Sequence, residues 1–469
     1  MDLNWKSKMI GMTRRELLKL SGLSVAGMWA NPAIWPLKVR AQGRAMPRGT
    51  ARNAIMIQIA GGISPWDTWD FKEHRLQPRD LDVRKTKSGL YLSKTLFPQL
   101  SEHTDKVSIV RSMRASELVH FNGQYHTQAG RALAPAIAKE TPAFGSVIAS
   151  ELDGQRRQTD TFPTYVSTNT GHNDPGTIGP GFLPAQFSGF DLFANKAFEI
   201  FGGKAEGADK LEKRWNLLSN FKELSDNERA SLGDKESEYK AYYSDAMRIL
   251  TDPRWTKVFE TTEEDRQRYG AGDSGGYAYA LLMARNLLAA DAGSRFIYVD
   301  EKEVWDQHTK IFDRSAPQNH YVNCLRWDKG FVALLTDLEK MPGHEPGKSL
   351  LDETLIVAGS EFGRTPDINP VAGRHHWRYA YPFLFAGGGI KPGLILGATE
   401  NGICVDTGWK NKVQPYMDNA VATIYSALGI DWRKAIDETP SGRGYEYTQT
   451  APLGASEIQS SDPIDELWT

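Results

Sequence analysis

The sequence predicts an α/β fold: a three-layer, doubly wound, mostly parallel sheet with one helical insertion. Three observations carry this reading. Short, near-continuous apolar runs alternate with amphipathic helical patterns, each run ends in glycine or polar residues, and one charge-dense stretch offers no strand pattern at all. Unbroken apolar runs suit strands covered on both faces, and their alternation with helices suits parallel crossover units.

The first 41 residues are of a different kind. "MTRRELLKLSGLSVAGMWA" sets Arg14 and Arg15 ahead of a mild apolar stretch, and "VRAQG" places small or apolar residues at Val39 and Ala41. The pattern predicts a twin-arginine signal peptide over residues 1–41, cleaved after Ala41 and read by the twin-arginine translocase. The apolar stretch from Leu20 to Ala30 is well short of the ~20 residues that a spanning helix needs. No transmembrane anchor is therefore expected after cleavage, and the mature chain is expected in the periplasm.

Residues 42–450 read as one α/β domain. "NAIMIQIAGG" (53–62), "KVSIVRSM" (106–113), "FPTYVST" (162–168), "RFIYV" (295–299), "TLIVAGS" (354–360) and "YPFLFAGGG" (381–389) are the expected strands. Among the helices, "GYAYALLMARNLLAADAG" repeats apolar residues three and four apart, with Gly293 expected to take the left-handed position beyond its end. "FVALLTDLEK" gives a second, and "MDNAVATIYSALGI" a third, capped by Asp418 or Asn419. Residues from about 195 to 270 form the helical insertion, in which Trp215, Leu217, Leu218, Tyr242, Tyr243, Met247 and Leu250 supply a face to pack. Residues 451–469 read as a C-terminal tail.

Composition excludes some functions. With 56 Lys and Arg against 58 Asp and Glu, the net charge is −2, and no basic block in the body tracks a phosphate backbone, so nucleic acid is not an expected partner. The two cysteines, Cys324 and Cys404, lack metal spacing. They fit either a single bridge or two thiols, and thiols are expected.

Chemistry-bearing residues gather behind the strands. "GGISPWDTWD" follows the first, with Ser64, Asp67 and Asp70; "RSMRASELVHFNGQYH" runs on from the second, with Arg111, His120, Asn122 and His126. "VWDQH", "SEFGRTP" and "GRHHW" follow later strands. Carboxylates and histidines beyond several separate strands are what a site at the carboxyl edge of a sheet requires.

Taken in order, "GGISPWDTWD", "GPGFLPA", "VWDQH", "EFGRTP" and "GRHHW" resemble the bacterial family called domain of unknown function 1501, over about residues 50 to 435. That resemblance implies an alkaline phosphatase/sulfatase-like fold and a metal-dependent site, with a small-molecule or envelope substrate. Carried over, it implies Asp306, His308, Glu361 and His376 as ligands of a divalent metal, zinc, manganese or calcium. It further implies His120, Asn122 and Asp67 as catalytic residues, and Arg364 or Arg111 as the group that holds an anion. The chain departs from the superfamily pattern in three places. Asp306 and His308 are two apart instead of four, Phe362 stands where a paired histidine is expected, and Gly61 and Gly62 stand where the first strand should end in aspartate. Two plainer readings stay open: Asp306 with His308 as a loop-internal pair, and Glu361 with Arg364 as a structural ion pair.

The expected function is an exported metal-dependent hydrolase of phosphate or sulfate esters. The alternative is a non-catalytic periplasmic binding or assembly protein that keeps the fold while its metal set has eroded. An oxidoreductase has no dinucleotide or cysteine-ligand motif to support it.

Overall fold

Apolar residues that alternate between two covered faces build the central sheet. The computed structural model describes residues 39–41, 45–201, 248–249, 251–272, 276–302, 304–411, 413–437, 439–449 and 460–468. Eight strands make up the sheet: β1 (Asn53–Ile59), β2 (Val107–Met113), β3 (Tyr165–Thr168), β4 (Phe190–Leu192), β5 (Phe296–Glu301), β6 (Thr354–Gly359), β7 (Tyr381–Ala386) and β8 (Ile395–Leu396). Their spatial order is β8-β2-β7-β6-β1-β5-β3-β4. All pairings are parallel except those of β7, which is antiparallel to both β2 and β6.

Three layers result. Ile55, Ile57 and Ile59 of β1 face one core, shared with Leu281 and Leu288 of helix Gly276–Ala290 and Phe331 and Leu334 of helix His320–Lys340. Ala54 and Met56 face the other, shared with Tyr125, Val147, Val421 and Ile424. Those four residues belong to helices α1 (His120–Ala129), α2 (Phe144–Leu152) and, for Val421 and Ile424, the late helix Met417–Ala427. Such two-sided burial is why the strands read as unbroken apolar runs. Ile464 and Leu467 of the expected tail are also buried in this second core.

Two local expectations are corrected. The late helix is capped by Tyr416, with Asn419 reaching back so that its Oδ1 accepts the Tyr416 N–H at 2.8 Å; Asp418 lies inside the helix. Beyond Ala290, Asp291 (φ 43°) already takes the left-handed position, because a short carboxylate side chain tolerates it. Gly293 (φ 117°) is needed for space, since a Cβ there would lie 2.9 Å from the Phe162 carbonyl oxygen.

Apart from Val39–Ala41, the expected signal lies outside the described residues, and so do Trp215, Leu217, Leu218, Tyr242, Tyr243, Met247 and Leu250. Val39–Ala41 pairs antiparallel with Lys434–Ile436. The described parts of the insertion hold helices Ala194–Phe201, Pro253–Val258 and Glu263–Tyr269. Cys324 is a buried thiol and Cys404 a half-buried one, with no bridge between them. Among the described residues, no helix is long and apolar enough to cross a membrane.

Candidate metal centre

Because β1, β2, β5 and β6 run the same way, their carboxyl ends meet at one edge, where the loops that follow them interlock. Gly61 (φ 109°) follows β1, and a Cβ there would lie 2.4 Å from the Asp306 nitrogen and 2.7 Å from the Trp305 carbonyl carbon. Glycine stands at the end of the first strand because two main chains touch there. Gly373 allows the same on the other side, where a Cβ would lie 2.0 Å from the His308 carbonyl carbon. Asn369 donates to the His308 carbonyl at 2.8 Å, and the Arg374 N–H donates to that of Gln307 at 3.0 Å. A short ladder, Gly363–Arg364 against His376–Trp377, carries His376 back over the strand ends.

Four side chains converge on one point: His120, Asp306, His308 and His376 each bring one ligand atom, all within 4.8 Å of one another. Asp306 Oδ1 lies 3.0 Å from His308 Nε2, 3.2 Å from His120 Nε2 and 3.6 Å from His376 Nε2. His308 Nε2 and His376 Nε2 are 2.9 Å apart.

The hydrogen-bond chemistry of this group fits a cation. His376 Nδ1 lies 2.7 Å from the Leu118 carbonyl, which can only accept, so in the neutral ring the proton is on Nδ1 and Nε2 carries a lone pair. His120 Nδ1 lies 2.8 Å from Glu361 Oε1, and the same argument leaves its Nε2 a lone pair. Both lone pairs aim at a carboxylate oxygen, which is itself an acceptor. Ligands around a tetrahedral zinc at ~2.0–2.1 Å stand roughly 3.3–3.4 Å from one another. These four spacings, 2.9 to 3.6 Å, bracket that figure.

Electrostatics favour the ionised acid and neutral imidazole. Burial alone would raise the Asp306 carboxyl, but its surroundings, among them the hydrogen bond and charge of Arg364, hold it far below the usual carboxylate range. Burial and then the Arg364 charge push His308 downward, against the pull of Asp306. The group is open to water on one side, with the side chains of His308 and Asp306 38% and 35% exposed.

The remaining expected residues have other places. Glu361, expected as a ligand, stands outside the cluster: its oxygens take Gln58 Nε2 at 2.9 Å, the Gly61 N–H at 2.8 Å and His120. Burial raises its carboxyl, and hydrogen bonds, the one from His120 foremost, more than offset this. Arg364 is fully buried, donating to Asp306 Oδ1 at 2.6 Å and to the carbonyls of Gly61, Gly62 and Arg374. Its fork, expected to hold an anion, meets protein oxygens here.

Arg111 is likewise engaged, with Asp70 at 3.3 Å and the Gly397 carbonyl. Asp67 is not in the cluster; it is fully buried and paired on both oxygens with Arg374, at 2.8 and 2.9 Å. Asn122 donates to Glu117 at 3.2 Å.

Sequence reading missed Phe362 as a wall. Its buried ring lies 4.9 Å from that of His120 and 4.4 Å from that of His376. The place expected for a paired histidine is thus filled by an aromatic that packs on two others. Trp305 lies in the core, its Nε1 donating to Glu301 at 2.9 Å. The buried Arg374 was also missed, and "GRHHW" held it in plain sight.

Similar solved structures include a protein in the alkaline phosphatase superfamily from Vibrio parahaemolyticus (12% identity, 90% of this chain, 76% of that chain, TM-score 0.37). Another is a sulfatase from Pseudoalteromonas sp. (12%, 85%, 71%, TM-score 0.38). A third is the C-terminal periplasmic domain of EptC from Escherichia coli in complex with Zn (10%, 91%, 93%, TM-score 0.37). No curated protein matches the chain. Residues 51–454 match the family described as "Protein of unknown function (DUF1501)", and the chain belongs to that family.

Proposed function

We propose that this protein is an exported hydrolase of phosphate or sulfate esters that uses one divalent metal held by His120, Asp306, His308 and His376. The observation that carries the reading is the convergence of two imidazole lone pairs and a carboxylate oxygen, with a third imidazole 2.9 Å from one of them. Three imidazoles and one carboxylate suit zinc or manganese, whereas calcium takes six to eight oxygens. An ion held by these residues would supply Lewis-acid chemistry, stabilising charge on a transferring phosphoryl or sulfuryl group.

The chain's own residues supply the rest. Glu361 and the Leu118 carbonyl fix the tautomers of His120 and His376, Arg364 keeps Asp306 ionised, and Phe362 excludes water from behind the rings. Exposure on the opposite side leaves room for a small-molecule or envelope ester.

One observation favours a second reading. Four protein side chains would fill every position of a four-coordinate ion, as in structural zinc sites, whereas catalytic sites leave a position open. On that reading the protein is a metal-stabilised binding or assembly protein.

The deciding experiment is elemental analysis of protein purified without added metal, followed by assay on aryl phosphates and sulfates. About one metal per chain and turnover abolished by EDTA support the hydrolase. Tightly held metal with no turnover supports the second reading, and no metal uptake at all overturns both. Export rests on Arg14 and Arg15: the precursor with Arg14→Lys and Arg15→Lys should stay in the cytoplasm, and normal export of it would overturn that assignment.

A further inference from the structure

A second chain of hydrogen bonds lies beside the cluster, on residues to which the metal reading gives no role. Ser116 Oγ is 2.8 Å from His126 Nδ1, and His126 Nε2 is 2.9 Å from Asp418 Oδ2. The parts come from three elements: the loop after β2, α1, and the helix Met417–Ala427.

Proton positions follow from the acceptors. An ionised carboxylate only accepts, so His126 carries its proton on Nε2 and presents a lone pair at Nδ1. The Ser116 hydroxyl must then donate to that lone pair. A hydroxyl aimed at an imidazole, whose other nitrogen is held by a carboxylate, is the arrangement that makes serine a nucleophile, here with the two ring nitrogens exchanged.

If Ser116 merely satisfied a core histidine, it would be buried with its partner. His126 and Asp418 are buried, yet Ser116 is only half-buried. It also sits on the loop that leads to His120 and whose Leu118 carbonyl holds His376. Leu118, Val119 and Phe121 on this stretch are exposed, so the segment that carries the serine and His120 presents apolar side chains to solvent. Arg378 Nε donates to the Ala115 carbonyl at 3.3 Å, which brings positive charge to the same loop.

We infer that Ser116, His126 and Asp418 form a nucleophilic relay acting on phosphoric esters of apolar alcohols. The inference rests on the hydrolase reading above, to which it adds the nucleophile and the alcohol. Ser116 Oγ attacks phosphorus; the Oγ–P bond forms while the P–O bond to the alcohol breaks. The serine proton passes to His126 Nδ1 and from there to the departing alkoxide. Water then attacks the seryl phosphoryl group, gives its proton to His126, and the Oγ–P bond breaks as Ser116 takes that proton back. The net products are alcohol and phosphate, with no other reactant consumed.

The test is covalent labelling of the whole chain by an alkyl fluorophosphonate, read by intact mass and peptide mapping, with and without EDTA. A single adduct on Ser116 is expected, absent in Ser116→Ala and formed about 10²–10⁴-fold more slowly in His126→Gln. Asp418→Asn gives a second comparison if His126→Gln does not fold, as judged by circular dichroism. Labelling that survives EDTA supports the relay independently of the metal reading, so loss of zinc binding with intact labelling would sink only the latter. No adduct on Ser116 in the wild type, or an unchanged rate in a folded His126→Gln, overturns the relay.

Discussion

His120 Nδ1 lies 2.8 Å from Glu361 Oε1, although the two residues are 241 apart in sequence. This contact sets which nitrogen of His120 faces the cluster. Glu361→Gln keeps the shape but weakens the acceptor, so zinc affinity should fall about 10–100-fold. A competition titration against a chromophoric chelator measures this, and unchanged affinity would show that Glu361 does not orient the ring.

His308 is the most exposed imidazole of the cluster, so its removal should leave the core intact. In the wild type, zinc at a hundredfold excess over its dissociation constant should stabilise the fold by ~2.7 kcal/mol. His308→Ala should lose most of that response while costing ~1 kcal/mol or less without metal. Thermal melts of both proteins in EDTA and then in zinc make the comparison; equal shifts would mean that His308 holds no ion.

Asp67 and Arg374 are each fully buried and paired through both carboxylate oxygens. Burial would raise the Asp67 carboxyl, but Arg374 and His320 pull it far below its usual 3.8. Its stabilisation is therefore present above that value and is lost as the pH falls below it. Asp67→Asn leaves a buried guanidinium without its charge partner and should cost about 3–5 kcal/mol in urea unfolding at pH 7. A cost under 1 kcal/mol would show that the pair does not tie these loops together.

Asp328 predicts the opposite pH dependence. Burial drives its carboxyl up from 3.8 to about 7, against the pull of the Gln99 and Leu100 N–H groups that it accepts. A folded value raised above the unfolded one favours the protonated form, so the contribution of Asp328 is full below pH 4 and is lost as the pH rises toward 7. Relative to Asp328→Asn, the wild type should lose roughly 4 kcal/mol across that window. Urea melts at pH 4.5 and 8 measure the difference, and a constant offset between the two proteins would refute it.

The six long strands were legible because two-sided burial writes itself as unbroken apolar runs. Phe190–Leu192 and Ile395–Leu396 were not, since two or three residues at a sheet edge carry no period. Nor does an apolar run carry direction, and so the antiparallel sense of Tyr381–Ala386 appears only in the pairing. At the cluster, the order of the motifs places Asp306, Glu361 and His376 after their strands. What one sequence cannot give is the step inward: Glu361 faces a histidine, not the cluster point, because Gln58 and the Gly61 N–H claim its oxygens. Asp67 and Arg374, 307 residues apart, show no local sign of their partnership.

The interlocked loops have a consequence in time. His376 reaches the Leu118 carbonyl across 258 residues, and Glu361 reaches Gln58 across 303. During synthesis, then, no growing chain owns the cluster until His376 has left the ribosome and "GRHHW" has folded over the finished strand ends. Contacts so distant in sequence form late, after the chain has paid the entropy of closing its long loops. An ion held by this cluster could therefore enter only once His376 has emerged, and a chain that carried it would be one whose sheet has closed.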